Sequence, residues 1–149
     1  MFVVYILFLK QNRLYVGQTK RWRLQDRWEE HRNPNFCAAR WTTKHKPISK
    51  GAVFECVTLE DAKKLEHEIV EYLMKQFGLD AVRGGRFNMP TEGEDWWVPR
   101  RLKNIPRFTL LFSRLSECNS TTFLQNVPSR FSDDPLSQLD LHVGLLSRS

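Results

Sequence analysis

The sequence predicts an α+β fold: a small three-stranded sheet, antiparallel or mixed, flanked by helices and followed by an irregular C-terminal extension. Three observations lead there. Residues 2–9 form a run of β-branched, aromatic and aliphatic side chains that stops at Lys10. Residues 59–77 repeat apolar side chains at helical spacing behind a capping sequence. Beyond residue 100 the periodicity weakens and eight of the nine serines gather.

The elements follow in order. Lys10-Gln11-Asn12-Arg13 is a polar turn, and residues 14–18 make a second strand, so an antiparallel hairpin opens the chain. Gly17 within that strand marks a bulge or a close backbone approach. Thr19 is placed to cap a helix over about 21–32, with Leu24 and Trp28 one turn apart and Asn33-Pro34-Asn35 ending it. A basic loop then runs through Lys50, and Ala52–Val57 supply the third strand. Thr58-Leu59-Glu60-Asp61 opens the longest helix, 59–77, which Gly78 closes. Arg83-Gly84-Gly85-Arg86 reads as a turn, with Phe87-Asn88 as an edge strand. The main domain is therefore expected over residues 1–90, a tryptophan-rich edge over 91–99, and a poorly ordered extension over 100–149.

Charge is uneven along the chain. The formal net charge is +6, with an isoelectric point near 9.5, which favours an anionic partner. Residues 10–50 contain eleven Lys/Arg against three Asp/Glu, whereas residues 51–99 contain five against ten. The three cysteines, Cys37, Cys56 and Cys118, are dispersed and form no C-x-x-C pair, which excludes a zinc knuckle or a disulfide framework and predicts reduced thiols inside a cell. The apolar N-terminus lacks a basic leader and a small-residue cleavage site, and no stretch is long enough to span a bilayer. No membrane association is expected, and the localisation expected is intracellular, in cytoplasm or nucleus.

Several side chains stand out from this frame. Tyr5 and Tyr15 lie on adjacent strands and can share one face of the sheet. Arg27 and His31 are four residues apart, so they project from one side of the first helix, together with Leu24 and Trp28. Glu66 falls in the middle of the apolar stripe formed by Leu59, Ala62, Leu65, Ile69, Leu73 and Phe77. A carboxylate there costs several kcal/mol unless it is paired or meets a cation. Two partners satisfy it: Mg²⁺, which accepts one or two carboxylate oxygens and keeps several waters, or Arg27 in an ion pair that steadies the fold.

Val3-Val4-Tyr5, then Tyr15-Val16-Gly17, then Arg27 and His31 four apart, then Glu66 in a later helix, together resemble the GIY-YIG nuclease family. Trp41-Thr42-Thr43-Lys44-His45-Lys46-Pro47 is similar to the basic loop of its smaller structure-specific and uncharacterised members. Among the departures from the motif, Val3 stands for its first glycine and Val16 for its second isoleucine, and both keep strand-forming side chains and the tyrosines. Asn88 resembles a late asparagine of some members.

The resemblance implies metal-dependent endonuclease chemistry: hydrolysis of a phosphodiester in DNA with one Mg²⁺ or Mn²⁺ at Glu66. Arg27 would bind the scissile phosphate, Tyr5 or Tyr15 would position the attacking water, and His31 would share the proton transfer or orient Tyr5. Substrate contact is expected at Lys10, Lys20, Arg21, Arg23, Arg40, Lys44, His45 and Lys46, with Trp22 and Trp41 stacking on bases or sugars. The DNA partner implied is branched, damaged or duplex, in repair or recombination, with a protein partner or dimer contact through the C-terminal region. The alternative reading is a catalytically inactive nucleic-acid-binding module that keeps the nuclease fold. A third is a protein-interaction domain built on Trp96-Trp97 and the extension.

Overall fold

A computed structural model of the chain describes residues 1–33 and 39–107. Strand β1 (Phe2–Leu9) turns through Lys10–Asn12 into β2 (Arg13–Lys20), and the two pair antiparallel along their whole length, Phe2 opposite Lys20 and Leu9 opposite Arg13. The turn places Gln11 and Asn12 at φ 59° and 58°. Strand β3 (Pro47–Cys56) pairs antiparallel with the other edge of β1. It begins five residues earlier than its hydrophobic run, because an edge strand is held by backbone pairing and tolerates exposed side chains such as Ile48 and Ser49.

A fourth strand, β4 (Val82–Gly84), pairs parallel with Leu14–Val16 of β2, so the sheet order is β3-β1-β2-β4. This corrects the three-stranded expectation. The segment read as a turn supplies the strand, and Phe87, read as a separate edge strand, forms a single antiparallel bridge to Gly84. Burial of Arg83 is what sequence patterning concealed. Its guanidinium lies 4.7 Å from the ring centroids of both Trp41 and Trp97. It donates to Asp80 and to the carbonyls of Leu79, Val82, Met89 and Thr91. A buried cation is stable only when so fully partnered.

Helix α1 (Leu24–Arg32) is entered through a 3-10 turn over Arg21–Arg23 with no side-chain cap. Thr19, the expected cap, is instead a strand residue opposite Val3. A short helix α2 (Arg40–Lys44) occupies part of the expected loop. Helix α3 (Leu59–Phe77) begins where Thr58 accepts a hydrogen bond from the Asp61 amide and ends at Gly78, as the capping pattern implied.

Alternation along β1 divides the interior. Val4, Ile6 and Phe8, with Leu14, Val16, Ala52 and Phe54, meet Ala62, Ile69, Val70, Leu73 and Met74 of α3. Val3, Tyr5, Leu7 and Leu9 face the other way, with Tyr15 and Val53, towards Trp28 and Trp41. The packed chain continues past the expected boundary at residue 90. Val98 and Leu102 join the α3-side core, and the amides of Leu79 and Asp80 donate to the carbonyls of Pro106 and Arg107. Residues 100–107 are thus folded against the domain. Residues 108–149 of the predicted extension, together with Cys37, Cys118 and Pro34-Asn35, lie outside the described residues. Cys56 is a free, buried thiol. Among the described residues no helix is long and apolar enough to cross a membrane.

Candidate active site

The two tyrosines share a face diagonally rather than directly. Tyr5 pairs with Gly17 and Leu7 with Tyr15. Their ring centroids are 6.2 Å apart. A Cβ on Gly17 would sit 2.5 Å from Tyr5 Oη and 2.8 Å from the Tyr15 ring, so only glycine leaves room for both phenols.

Helix α1 brings His31 beneath them. Tyr5 Oη lies 2.8 Å from His31 Nε2, and the imidazole centroid is 4.9 Å from that of Tyr15. His31 Nδ1 is 2.9 Å from Thr42 Oγ1 on α2. Burial, then the neighbouring Arg27, pushes the imidazole down to about 4, so it is neutral at physiological pH. Burial raises both phenols, Tyr15 to about 12 and Tyr5 further. Tyr15 and Glu66 add to these increases, while Arg27 acts against them on both rings. A base at neutral pH needs a depressed phenol, so unaided burial works against that role. Arg27 itself is half-buried and ion-paired with Glu30, which also receives Arg23 at 2.7 Å.

Glu66 comes from the opposite side of the sheet. The buried face of α3 is Ala62, Glu66, Ile69, Val70, Leu73 and Met74, while Leu59 is 39% exposed and Leu65 and Phe77 are only partly covered. Glu66 Oε1 accepts a 2.8 Å hydrogen bond from the Gly85 amide. Burial raises its carboxyl to about 7, against the lowering effects of Gly85 and Lys63. Gly85 has φ +55°, and Gly84 packs so closely that a Cβ would lie 2.1 Å from the Val16 carbonyl oxygen. Because β4 covers only Leu14–Val16 of β2, a cleft of about 840 Å³ opens beyond it, and Tyr15, Arg27, Glu66, Gln18 and Asn88 line it. A second cleft, about 740 Å³, shares Tyr15, Arg27 and Asn88 and runs towards Arg40 and Trp96.

All five expected site residues therefore belong to one assembly. Tyr15, Arg27 and Glu66 reach the cleft, whereas Tyr5 and His31 lie behind them. The ion pair expected as an alternative for Glu66 is replaced by Arg27–Glu30.

The contact residues divide. Lys10, Lys20, Arg21, Trp22, Arg40, Lys44 and Lys46 are exposed, and Arg23 is half-buried. Arg21 pairs with Glu55 at 3.0 Å, and Lys44 Nζ donates to the Pro90 carbonyl. Two expectations are corrected. Trp41 is fully buried, donates its indole N–H to the Leu14 carbonyl and stacks on Arg83, so it cannot stack on a base. His45 is 5% exposed and bonded to Gln11 and Glu92, so it cannot meet a phosphate. Their basic neighbours in sequence had suggested a solvated loop. Sequence reasoning missed Lys63, Lys64 and Arg86 at the first cleft. For Lys63 a signal existed: it stands three residues before Glu66, on the same side of α3.

Glu66 also fits a cation. It is a buried carboxylate with one oxygen held by a backbone amide and a cleft in front of it, the donor set of a Mg²⁺ that keeps most of its waters. Among the described residues no group of three or more His, Cys, Asp or Glu could form an all-protein metal cage.

A buried pair of phenols, a neutral imidazole, a guanidinium and a cleft-facing carboxylate thus meet at one end of an α+β sheet. Residues 1–76, just over half of the chain, match the GIY-YIG catalytic domain, and the chain belongs to that family of nucleases, which generally use divalent metals. No curated protein and no solved structure matches the chain.

Proposed function

We propose that the chain is an endonuclease that hydrolyses phosphodiester bonds of DNA with one divalent cation, Mg²⁺ or Mn²⁺, at Glu66. The observation that carries this reading is the carboxylate itself, buried in an apolar helix face and aimed into the cleft that Arg27 and Tyr15 share. A cation held there supplies positive charge to the phosphoryl and leaving oxygens and lowers the pKa of the nearby phenols.

The chain's own groups do the rest. Arg27, steadied by Glu30, binds the scissile phosphate and offsets the charge that grows on it. Tyr15 faces the cleft and orients the attacking water, while Tyr5 behind it hydrogen-bonds with His31. The neutral imidazole supplies a lone pair within reach of a phenolic proton, which an imidazolium would lack. The cationic side chains Lys63, Lys64 and Arg86 at one cleft and Arg40 at the other hold the phosphates on either side of the cut.

Incubation with supercoiled, branched and single-stranded DNA in Mg²⁺ or EDTA tests the reading. We expect cleavage in Mg²⁺ alone, reduced at least about 100-fold in a folded Glu66→Ala protein. Salt-sensitive binding without cleavage in Mg²⁺ or in EDTA would instead favour the inactive binding module.

A further inference from the structure

Both ring nitrogens of His31 are engaged, and the hydroxyl of Thr42 has a second partner. Thr42 Oγ1 lies 2.9 Å from His31 Nδ1 and donates to the Ala39 carbonyl, also at 2.9 Å. A threonine hydroxyl has a single proton. Once that proton is committed to Ala39, the oxygen can only accept from the ring, so Nδ1 must carry the hydrogen of the neutral imidazole. Nε2 is then a bare lone pair, and Tyr5, at 2.8 Å, must be the donor to it. In the opposite tautomer Nε2–H would donate to Tyr5, and the phenol would have no acceptor at the imidazole for its own proton.

We propose that Thr42 is a positioning residue that fixes His31 as the Nδ1–H tautomer, so that a proton leaving Tyr5 Oη has Nε2 to receive it. The step is balanced: an O–H bond of the attacking water breaks as its proton bonds to Tyr15 Oη, the former Tyr15 proton passes to Tyr5 Oη, and the former Tyr5 proton bonds to His31 Nε2, so one proton leaves water and one arrives on the imidazole. Nδ1–H remains bonded to Thr42 throughout. The tautomer is set by the chain's local geometry. Ala39 precedes the first turn of α2, and the same carbonyl accepts the Thr42 amide at 3.1 Å, so the hydroxyl bond is an i to i−3 contact within that turn. Thr42 is 1% exposed, which keeps water from substituting for it. His31, 4% exposed, is equally shielded. The wrong tautomer disables a histidine relay even when every heavy atom stays in place.

The catalytic part of this inference rests on the nuclease reading; the tautomer does not. Two-bond ¹⁵N–¹H correlation of the imidazole, recorded on the full chain without DNA, identifies which nitrogen bears the proton. We expect Nδ1–H in the parent and in Thr42→Ser, and a shift to Nε2–H in Thr42→Val, which keeps the side-chain shape. In Mg²⁺, Thr42→Val should lower kcat about 10–100-fold with KM little changed, and Thr42→Ser should restore it. A parent with the proton on Nε2 overturns the proposal. So does a Thr42→Val protein that loses activity while keeping Nδ1–H, because its defect would then be packing. A parent that cuts no DNA overturns the nuclease reading, and the tautomer in the parent and in Thr42→Ser still decides the role of Thr42.

Discussion

The two faces of the sheet are built from the same strands by different rules. On the α3 side the contacts are between apolar side chains, with Val4, Ile6, Leu14 and Val16 closing on Ile69, Val70 and Leu73. On the α1 side the strands present Tyr5 and Tyr15 to His31, Trp28 and Trp41, and the packing is joined by side-chain hydrogen bonds. The first face derives its stability from area removed from water. The second holds polar groups that are tolerable only because each has a partner. Glu66 is the exception to this division: it belongs to α3, yet beyond the short β4 it lines the same cleft as Tyr15 and Arg27. Stability and reactivity should therefore separate by face, with Glu66 on the wrong side of the line for stability.

The sharpest separation compares Leu73→Ala with Tyr5→Phe. The former opens a cavity in the apolar core and should cost about 2–5 kcal/mol, read as a lower urea midpoint. The latter removes only a hydroxyl, with about 1 kcal/mol of stability, yet should slow DNA cleavage about 10²–10⁴-fold. Similar losses of stability for the two would break the comparison.

Glu66 tests the division next. Its folded carboxyl is raised from 4.5 to about 7, so the folded chain binds this proton more tightly than the unfolded chain. Ionisation therefore withdraws stability as pH rises from 4.5 to 7, and the loss is complete above 7, at about 3 kcal/mol. Metal-free Glu66→Gln should be more stable than the parent at pH 8 by up to that amount, with the two converging near pH 4.5. His31 acts with the opposite sign. Its folded pKa is lowered from 6.5 to about 4, so its contribution is full above 6.5 and is lost as pH falls towards 4. With Glu66 replaced, urea midpoints should fall more steeply on acidification through that window than in the parent.

The smallest effect belongs to neither face. Arg21→Ala breaks a partly exposed pair with Glu55 and should change stability by no more than about 1 kcal/mol. It should reduce the salt dependence of DNA binding by roughly one phosphate contact. An unchanged salt slope would remove Arg21 from the proposed interface.

Local pattern made much of this readable. A β-branched and aromatic run ended by a polar turn identified the hairpin, and helical spacing with the Thr58 cap identified α3 and the anomaly of Glu66 within it. Arg27 and His31 were legible as a pair because four residues make about one helical turn. Trp41, His45 and Arg83 were not. Each is covered by a partner distant in the sequence: Leu14 for Trp41, Glu92 for His45, and Trp41 and Trp97 for Arg83. Thr42 was invisible for the same reason, since nothing near it in sequence marks the ring of His31 as its neighbour.

By itself the sequence determined which residues are chemically out of place: two tyrosines on adjacent strands, a cation and an imidazole on one helix side, and an acid in an apolar stripe. Those facts follow from periods of two and 3.6 residues, which act over a few positions. Only the tertiary structure decided that β4 stops short, so that Glu66 reaches the cleft of Tyr15 and Arg27. It also decided which tryptophans are buried and which hydroxyl meets His31. These outcomes depend on contacts between residues eleven or more apart, where the energy lies in burial and pairing that no local period records.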